Sequence, residues 1–431
     1  MTPVTADSFG PLKNGSTVAI IGGGPTGTGC AIAIKNIARS SGKEIHVVLF
    51  EGKSYETHYN QCAGVLSPPI LDIMERKLFL EFPCHLIQRE IAGYVLHTAN
   101  RTIRLTGDEG VTYAVRRVAL DDFFLKTARE KGVEVIHSRV TDIEITDNRV
   151  MVYSESRNSR ADFVIGAFGL DDGTARVFER RTPYRQPAFL SSIVTKIHPD
   201  PEYLSRFGDY IHAFLPPIKE IEFGALTPKK NHITVNIAGR NVDSESMDMF
   251  LQLPAVKSHL PGAFEAEKHH LFYFKGKFPC RVSKGYCGNR YIVVGDAAGF
   301  IRPFKGKGIN MALLSGIGAA RAAMISGISR DALSDCFRAT TREVADDRPY
   351  SAVLRWLATG GSSTSLMDSI VAAASDDIRL KNALFNSVSA QETFKKIFRD
   401  SINLKSVFRV LTHAFRMKFR RGVVAQSIDE N

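Results

Sequence analysis

The sequence predicts an α/β fold with two sheets: a parallel sheet, a mainly antiparallel sheet over it, and a helical C-terminal region. Three observations predict it. A glycine-rich GxGxxG turn stands near the start, between an apolar strand and a helix of small residues. Far downstream a second apolar strand ends in Gly295-Asp296, ahead of a glycine loop and another helix. Between these motifs lie segments of period-two alternation, and from residue 331 onward the chain reads helical.

The elements follow in chain order. In "STVAIIGGGPTGTGCAIAIKNIARSSGKEIHVVLFEGK", residues 16 to 53, Val18 to Ile21 reads as a short buried strand. Gly22, Gly24 and Gly27 supply the GxGxxG. Such glycines serve the tight turn, backbone approach to a pyrophosphate, and close helix–strand packing. Cys30 to Ile37 carries a small, apolar helical pattern. "IHVVLFE" is the next strand and ends on Glu51, whose carboxylate can accept from the ribose hydroxyls of an adenosine. A lone GxGxxG is weak; this strand–turn–helix–strand–acid order makes it specific.

Residues 91 to 107, "IAGYVLHTANRTIRLTG", are expected to lend strands to the second sheet. Residues 113 to 145 hold Arg117, four positions before Asp121, then an amphipathic helix marked by Leu120, Phe123, Phe124 and Ala128, then a strand. In "GDYIHAFLPP", residues 208 to 217, Tyr210, His212 and Phe214 alternate and share one face of a strand. "NHITVNIAG", residues 231 to 239, is expected as its neighbour in the same sheet.

"YIVVGDAAGFIRPFKGKGINMALLSG", residues 291 to 316, closes the site. A strand stopping at Gly295-Asp296 leaves the carboxylate at the carboxyl edge of a sheet, where open α/β sheets bind ligands. Pro303, Gly306 and Gly308 lead into a helix from Ile309, whose free N–H groups and positive dipole end face the same spot. Lys305 and Lys307 flank that loop. An NAD domain needs no such second motif. An FAD domain of the glutathione reductase type closes on the ribityl chain with a distant strand-Gly-Asp. The pair decides for FAD in a Rossmann-type domain.

The expected organisation is a discontinuous FAD-binding domain over 1–185, continued at 276–330, with 81–109 contributing to the substrate sheet of 186–275. Residues 331–431 form a helical region with a basic amphipathic tail. The net charge is +11, and between Gln391 and Val424 nine Lys or Arg face two acids. Apolar residues at 394, 397, 398, 404, 407, 408 and 411 recur there at helical spacing. Two readings of residues 391–424 stand: an anionic membrane surface as partner, or packing on the protein's own core with a solvated basic face. Nucleic acid is not expected as a partner, since base-reading motifs are absent. The six cysteines show no CxxC pair, zinc spacing or iron–sulfur run, so no metal is expected. Scattered thiols and the lack of an apolar N-terminal signal lead to the expectation of a cytoplasmic protein, peripheral to a membrane if it meets one.

With three FAD pieces in this order, residues 15 to 330 resemble the p-hydroxybenzoate hydroxylase-like flavoproteins, and within them the geranylgeranyl reductase family. "QCAGVLSPPILDIM" (61 to 74) is similar to that family's Cys-Gly-x-Gly-Leu-Ser-Pro segment, "GDAAGFIRPFKGKGI" to its Gly-Asp-Ala-Ala-Gly segment, and "GDYIHAFLPP" to its Tyr-x-Trp-x-Phe-Pro motif. The resemblance implies hydrogenation of isolated double bonds of a polyprenyl or lipid substrate, with hydride from reduced flavin N5. It implies Arg117 against the FAD phosphates, and Tyr210, His212 and Phe214 lining the substrate tunnel. It makes Cys62 the candidate for the proton, or a small residue packed under the flavin ring. The electron donor stays open between NAD(P)H and a ferredoxin-type donor protein.

Two departures count. His212 replaces the motif's Trp, and Phe168 replaces the Asp that relatives place between FAD and NADPH. Rival readings are an FAD monooxygenase of an aromatic or polyketide substrate, and a flavoprotein passing electrons to quinone, which lacks here the cysteine-rich segment of its relatives.

Overall fold

The computed structural model describes residues 9–54, 62–107, 110–262, 264, 271–300, 308–359, 363–389, 392–401, 405–406 and 409–414. The first strand, β1 (Thr17–Ile21), is buried along nearly its whole length, as a β-branched, apolar run in a parallel sheet must be. It pairs in parallel with β2 (His46–Phe50) on one side and β12 (Phe163–Gly166) on the other. β8 (Glu134–Ile136) and β19 (Tyr291–Val293) extend the parallel array, and β18 (Cys287–Gly288) caps one edge antiparallel, giving the order β18-β19-β12-β1-β2-β8.

Helix Pro25–Ser40 leaves the glycine turn with proline in its first turn, where the missing N–H costs nothing. Helix Gly308–Arg321 packs along it. The span Gly308–Ser326 is long and apolar enough to cross a membrane, yet 67% of its apolar window is buried inside the protein, so it serves here as a core helix. The largest core cluster surrounds this sheet, with Phe50, Phe124 and Phe163 fully buried.

The second sheet has seven strands in the order β17-β13-β16-β15-β14-β5-β6. They are β5 (Gly93–His97), β6 (Thr102–Leu105), β13 (Phe189–Ile197), β14 (Tyr210–Phe214), β15 (Ile221–Pro228), β16 (Ile233–Gly239) and β17 (Phe274–Pro279). Every pairing is antiparallel except that of β14 with β5. Residues 91–107 do enter this sheet. β16, however, is not the direct neighbour of β14. β15 lies between them, and its alternation is masked because both faces are covered: a Cβ on Gly224 would sit 2.4 Å from the Phe250 ring. The sheet also runs to Pro279, past the expected boundary at 275.

Two three-stranded sheets were not foreseen. One is β11-β10-β9 (Ser159–Ala161, Val150–Ser154, Val140–Ile145); the other is β3-β7-β4 (Val65–Leu66, Thr112–Val115, Ile87–Ile91). The single strand expected after helix Arg117–Glu130 is therefore two, β8 and β9, in different sheets.

Beyond residue 329 the described chain is helical: Arg330–Thr359, Ser363–Ser375, Ile378–Ser389 and Phe394–Ser401. The apolar face of the last helix turns inward, with Phe394 and Ile397 buried. Its basic side chains find acids: Lys395 Nζ lies 2.9 Å from Asp346, and Lys396 Nζ 2.6 Å from Glu392. Arg409 reaches Asp377 at 2.5 Å. Within 394–401 Phe394 and Ile397 pack on the protein's own core; residues 404, 407 and 408 lie outside the described residues.

Candidate active site

The dinucleotide end is built by the turn after β1. Gly22 has φ +112, and a Cβ there would sit 2.4 Å from the Ala167 carbonyl oxygen, so only glycine fits. A Cβ on Gly27 would lie 1.9 Å from the Gly22 oxygen, which explains the close helix–strand approach. Gly24 is different. Its φ of −72° suits any residue, and a Cβ there would meet nothing within 4 Å. As the N-cap of helix Pro25–Ser40 it has no side chain to cover the N–H groups of the first turn. That cradle fits a pyrophosphate.

Glu51 is buried, and its carboxylate accepts from the Gly23 N–H at 2.7 Å and the Lys53 N–H at 2.8 Å. A carboxylate has about four acceptor positions, so capacity remains for ribose hydroxyls.

One cavity of about 580 Å³ joins Gly22, Gly24 and Glu51 to Asp296, Gly308 and Ile309. Asp296 follows β19 in a 3₁₀ turn, and its neighbour Gly295 donates its N–H to Ser315 Oγ at 3.0 Å. Burial pushes the Asp296 carboxyl above the usual carboxylate range, while Arg117 pulls the other way. Arg117 opens its helix, lines the cavity and donates to Asp121 at 2.7 Å. Arg116, beside it, is exposed. Pro303 and Gly306, with Lys305 and Lys307, lie outside the described residues. The helix expected from Ile309 runs from Gly308 to Arg321.

Cys62 is half-buried, lines the same cavity and accepts from the Gly64 N–H at 3.3 Å. Its loop is tied to the helix at 308 by Asn310, which donates to the Ser67 oxygen at 3.0 Å. Behind the loop stands Lys229, which sequence reasoning passed over. It is 3% exposed, its Nζ donates to the Val115 oxygen at 2.5 Å, and a Cβ on Gly64 would sit 2.9 Å from that Nζ. Burial lowers its pKa to about 8, against the pull of Cys62. Nothing in "TPKKNH" separates it from the exposed Lys230.

The sheet forms the other wall. Here the expectation for β14 is corrected. Ile211 and Ala213, with Leu215 just beyond the strand, line the cavity beside Leu96, Phe223 and Ala225. Tyr210 and His212 do not line it. Tyr210 instead stacks under Arg104, whose guanidinium carbon lies 4.6 Å from the ring centroid. His212 faces His97 and His259 on the far side. Phe214 lines the cavity but also packs on Phe250. Of the three residues expected to line the cavity, Phe214 does and Tyr210 and His212 do not, because the exposed face of a strand is set by which face tertiary packing covers.

Three further lining residues come from remote segments. Phe168 packs against Phe178 at 5.1 Å between ring centroids. Asn236 brings a buried Oδ1 with no hydrogen-bond partner among the described residues. Phe394, from helix Phe394–Ser401, also lines the chamber.

No known family model matches the chain. An uncharacterized protein of Methanosarcina barkeri is 24% identical over 321 residues, covering 70% of this chain and 73% of that protein. A geranylgeranyl bacteriochlorophyll reductase-like protein from Thermoplasma acidophilum superposes with a TM-score of 0.66 at 18% identity, over 92% of this chain and 99% of that one. A variant of halogenase PltM in complex with FAD superposes with a TM-score of 0.62 at 15% identity, over 89% and 85%. The chain shares its fold with these proteins: a Rossmann-type parallel sheet with a second, mainly antiparallel sheet beside it.

Proposed function

We propose that the protein is an FAD-dependent oxidoreductase that saturates carbon–carbon double bonds of an isoprenoid or lipid. The observation that carries this reading is the single cavity, whose one end is a dinucleotide cradle and whose other end is apolar sheet. The residues present fit FAD. Gly24 and the uncapped start of helix Pro25–Ser40 would hold the pyrophosphate, Arg117 would add charge to it, and Glu51 would take the adenosine ribose. Asp296 would accept from the ribityl hydroxyls, and the helix starting at Gly308 would favour negative charge at the ring's edge. When bound and reduced, FAD supplies the hydride.

The chain's own part is to hold the alkene and deliver a proton. Leu96, Ile211, Ala213 and Phe223 give an apolar wall that excludes water. Cys62 Sγ accepts from the Gly64 N–H, which holds the sulfur in place and leaves the S–H free to donate toward the cavity. Oxygen consumption by the reduced protein tests the reading. Anaerobic flavin reoxidation by an unsaturated lipid supports it, whereas rapid, substrate-dependent oxygen uptake would indicate a monooxygenase.

A further inference from the structure

We propose that His97, His212 and His259 form a binding site for a zinc-class divalent cation on the sheet face turned away from the cavity. One ring nitrogen from each lies within 4.8 Å of one from each of the others. Among the described residues this is the one such trio of metal-ligating side chains. Three elements bring it together: β5 supplies His97, β14 supplies His212, and the turn after helix Pro254–Lys257 supplies His259.

The outer hydrogen bonds fit ligation. His259 Nδ1 lies 2.9 Å from the Ala255 oxygen, which can only accept, so Nδ1 carries the proton and Nε2 keeps its lone pair. His97 Nδ1 lies 3.1 Å from Thr102 Oγ1, so when Nδ1 donates, Nε2 keeps its lone pair and accepts from His212 Nδ1, a hydrogen that a bound ion would displace. Metal-bound imidazoles are oriented in this way, with the second N–H given to a carbonyl or hydroxyl. His97 Nε2 and His212 Nδ1 are 2.9 Å apart. Tetrahedral zinc with bonds near 2.0–2.1 Å sets ligand nitrogens roughly 3.3 Å apart, so this pair is already close to that spacing. The widest gap needs to close by about 1.5 Å, an adjustment open to half-buried His259.

Arg104 lines the same chamber. A dication beside a guanidinium favours an anion in the fourth position, such as hydroxide, chloride or a carboxylate. The bound ion would clip the turn after Pro254–Lys257 to β5 and β14, with no part in the flavin chemistry.

The test uses the flavin-loaded protein, stripped with chelator and then titrated with Co(II), read by its tetrahedral visible bands, and with Zn(II) against a chromophoric chelator. One ion per chain is expected. His259→Gln, at a half-exposed turn, should keep full flavin content and bind at least ~100-fold more weakly. Thr102→Val should weaken binding by the roughly 10–100-fold typical of losing an outer partner. Binding to wild type no tighter than to His259→Gln would overturn the site and leave only a hydrogen-bonded histidine pair.

Discussion

Gly24 and Gly27 belong to one motif, yet the structure assigns them opposite vulnerabilities. A valine at 24 has an allowed backbone, with φ −72° and ψ −177°, and its Cβ meets no protein atom within 4 Å. Gly24→Val should therefore change the stability of the flavin-free chain by no more than ~0.5 kcal/mol, as surface substitutions do. The branched side chain would instead occupy the pyrophosphate cradle. Losing two charge-assisted hydrogen bonds at about 1.5–3 kcal/mol each weakens FAD by roughly 3–6 kcal/mol, or ~10²–10⁴-fold. At Gly27 an added Cβ would lie 1.9 Å from the Gly22 oxygen, a backbone atom that cannot turn aside. Gly27→Ala should cost about 1–3 kcal/mol of fold stability, even without flavin. Flavin per chain is read from visible absorbance, and the melting of flavin-free protein from near-UV circular dichroism. Full flavin content in Gly24→Val, or equal melting of the two flavin-free variants, would refute this reasoning.

Cys62→Ser and Cys62→Ala should retain FAD, yet slow reoxidation of the reduced flavin by an unsaturated lipid ~10²–10⁴-fold, the range for a lost general acid. Wild-type rates in stopped flow would make the thiol a packing residue. Burial pushes the Lys229 ammonium down to about 8 from 10.5, so carrying that charge into the folded state at pH 7 lowers stability by roughly 3 kcal/mol relative to the unfolded chain. Between about pH 8 and 10.5 the unfolded chain binds more protons, so stability should rise with pH there and level off above. Lys229→Met should lack that rise and, after losing ~1 kcal/mol of hydrogen bond to Val115, be more stable at pH 7 by about 2 kcal/mol. A variant less stable at pH 7 by a margin independent of pH would contradict this. Ala213→Trp, which fills the apolar chamber, should raise KM for a long substrate at least ~10-fold with FAD retained, whereas Tyr210→Ala, on the other face, should leave KM unchanged. Equal KM effects would mean the face of β14 is misassigned.

What the sequence made legible divides along a physical line. Gly22, Gly27 and Glu51 were readable because local geometry dictates them: a positive φ, a 1.9 Å approach and an acid at a strand end each restrict residue type within a few positions. Arg117 is singled out over Arg116 by its resemblance to the Arg-x-x-x-Asp segment of the flavin-dependent hydroxylases and reductases, and in the structure it pairs with Asp121 at 2.7 Å. The face of β14 was not legible. Tyr210, His212 and Phe214 alternate with Ile211, Ala213 and Leu215, and both sets are apolar enough to be inside. Arg104 covers Tyr210, and Phe207 and His259 cover His212, while Ile211, Ala213 and Leu215 are left for the cavity. Lys229 and the histidine trio were hidden for the same reason, since each takes its meaning from partners more than 40 residues away in sequence, such as Val115 and His97.

The central claim is hydride delivery to an alkene held against the sheet wall. It is tested most directly by anaerobic stopped flow of dithionite-reduced protein mixed with a geranylgeranyl-type substrate. The account predicts substrate-dependent return of the oxidised flavin spectrum, with one double bond saturated per flavin oxidised. A reduced flavin that persists with every such lipid, yet reoxidises with oxygen and an aromatic substrate to give a hydroxylated product, would contradict it.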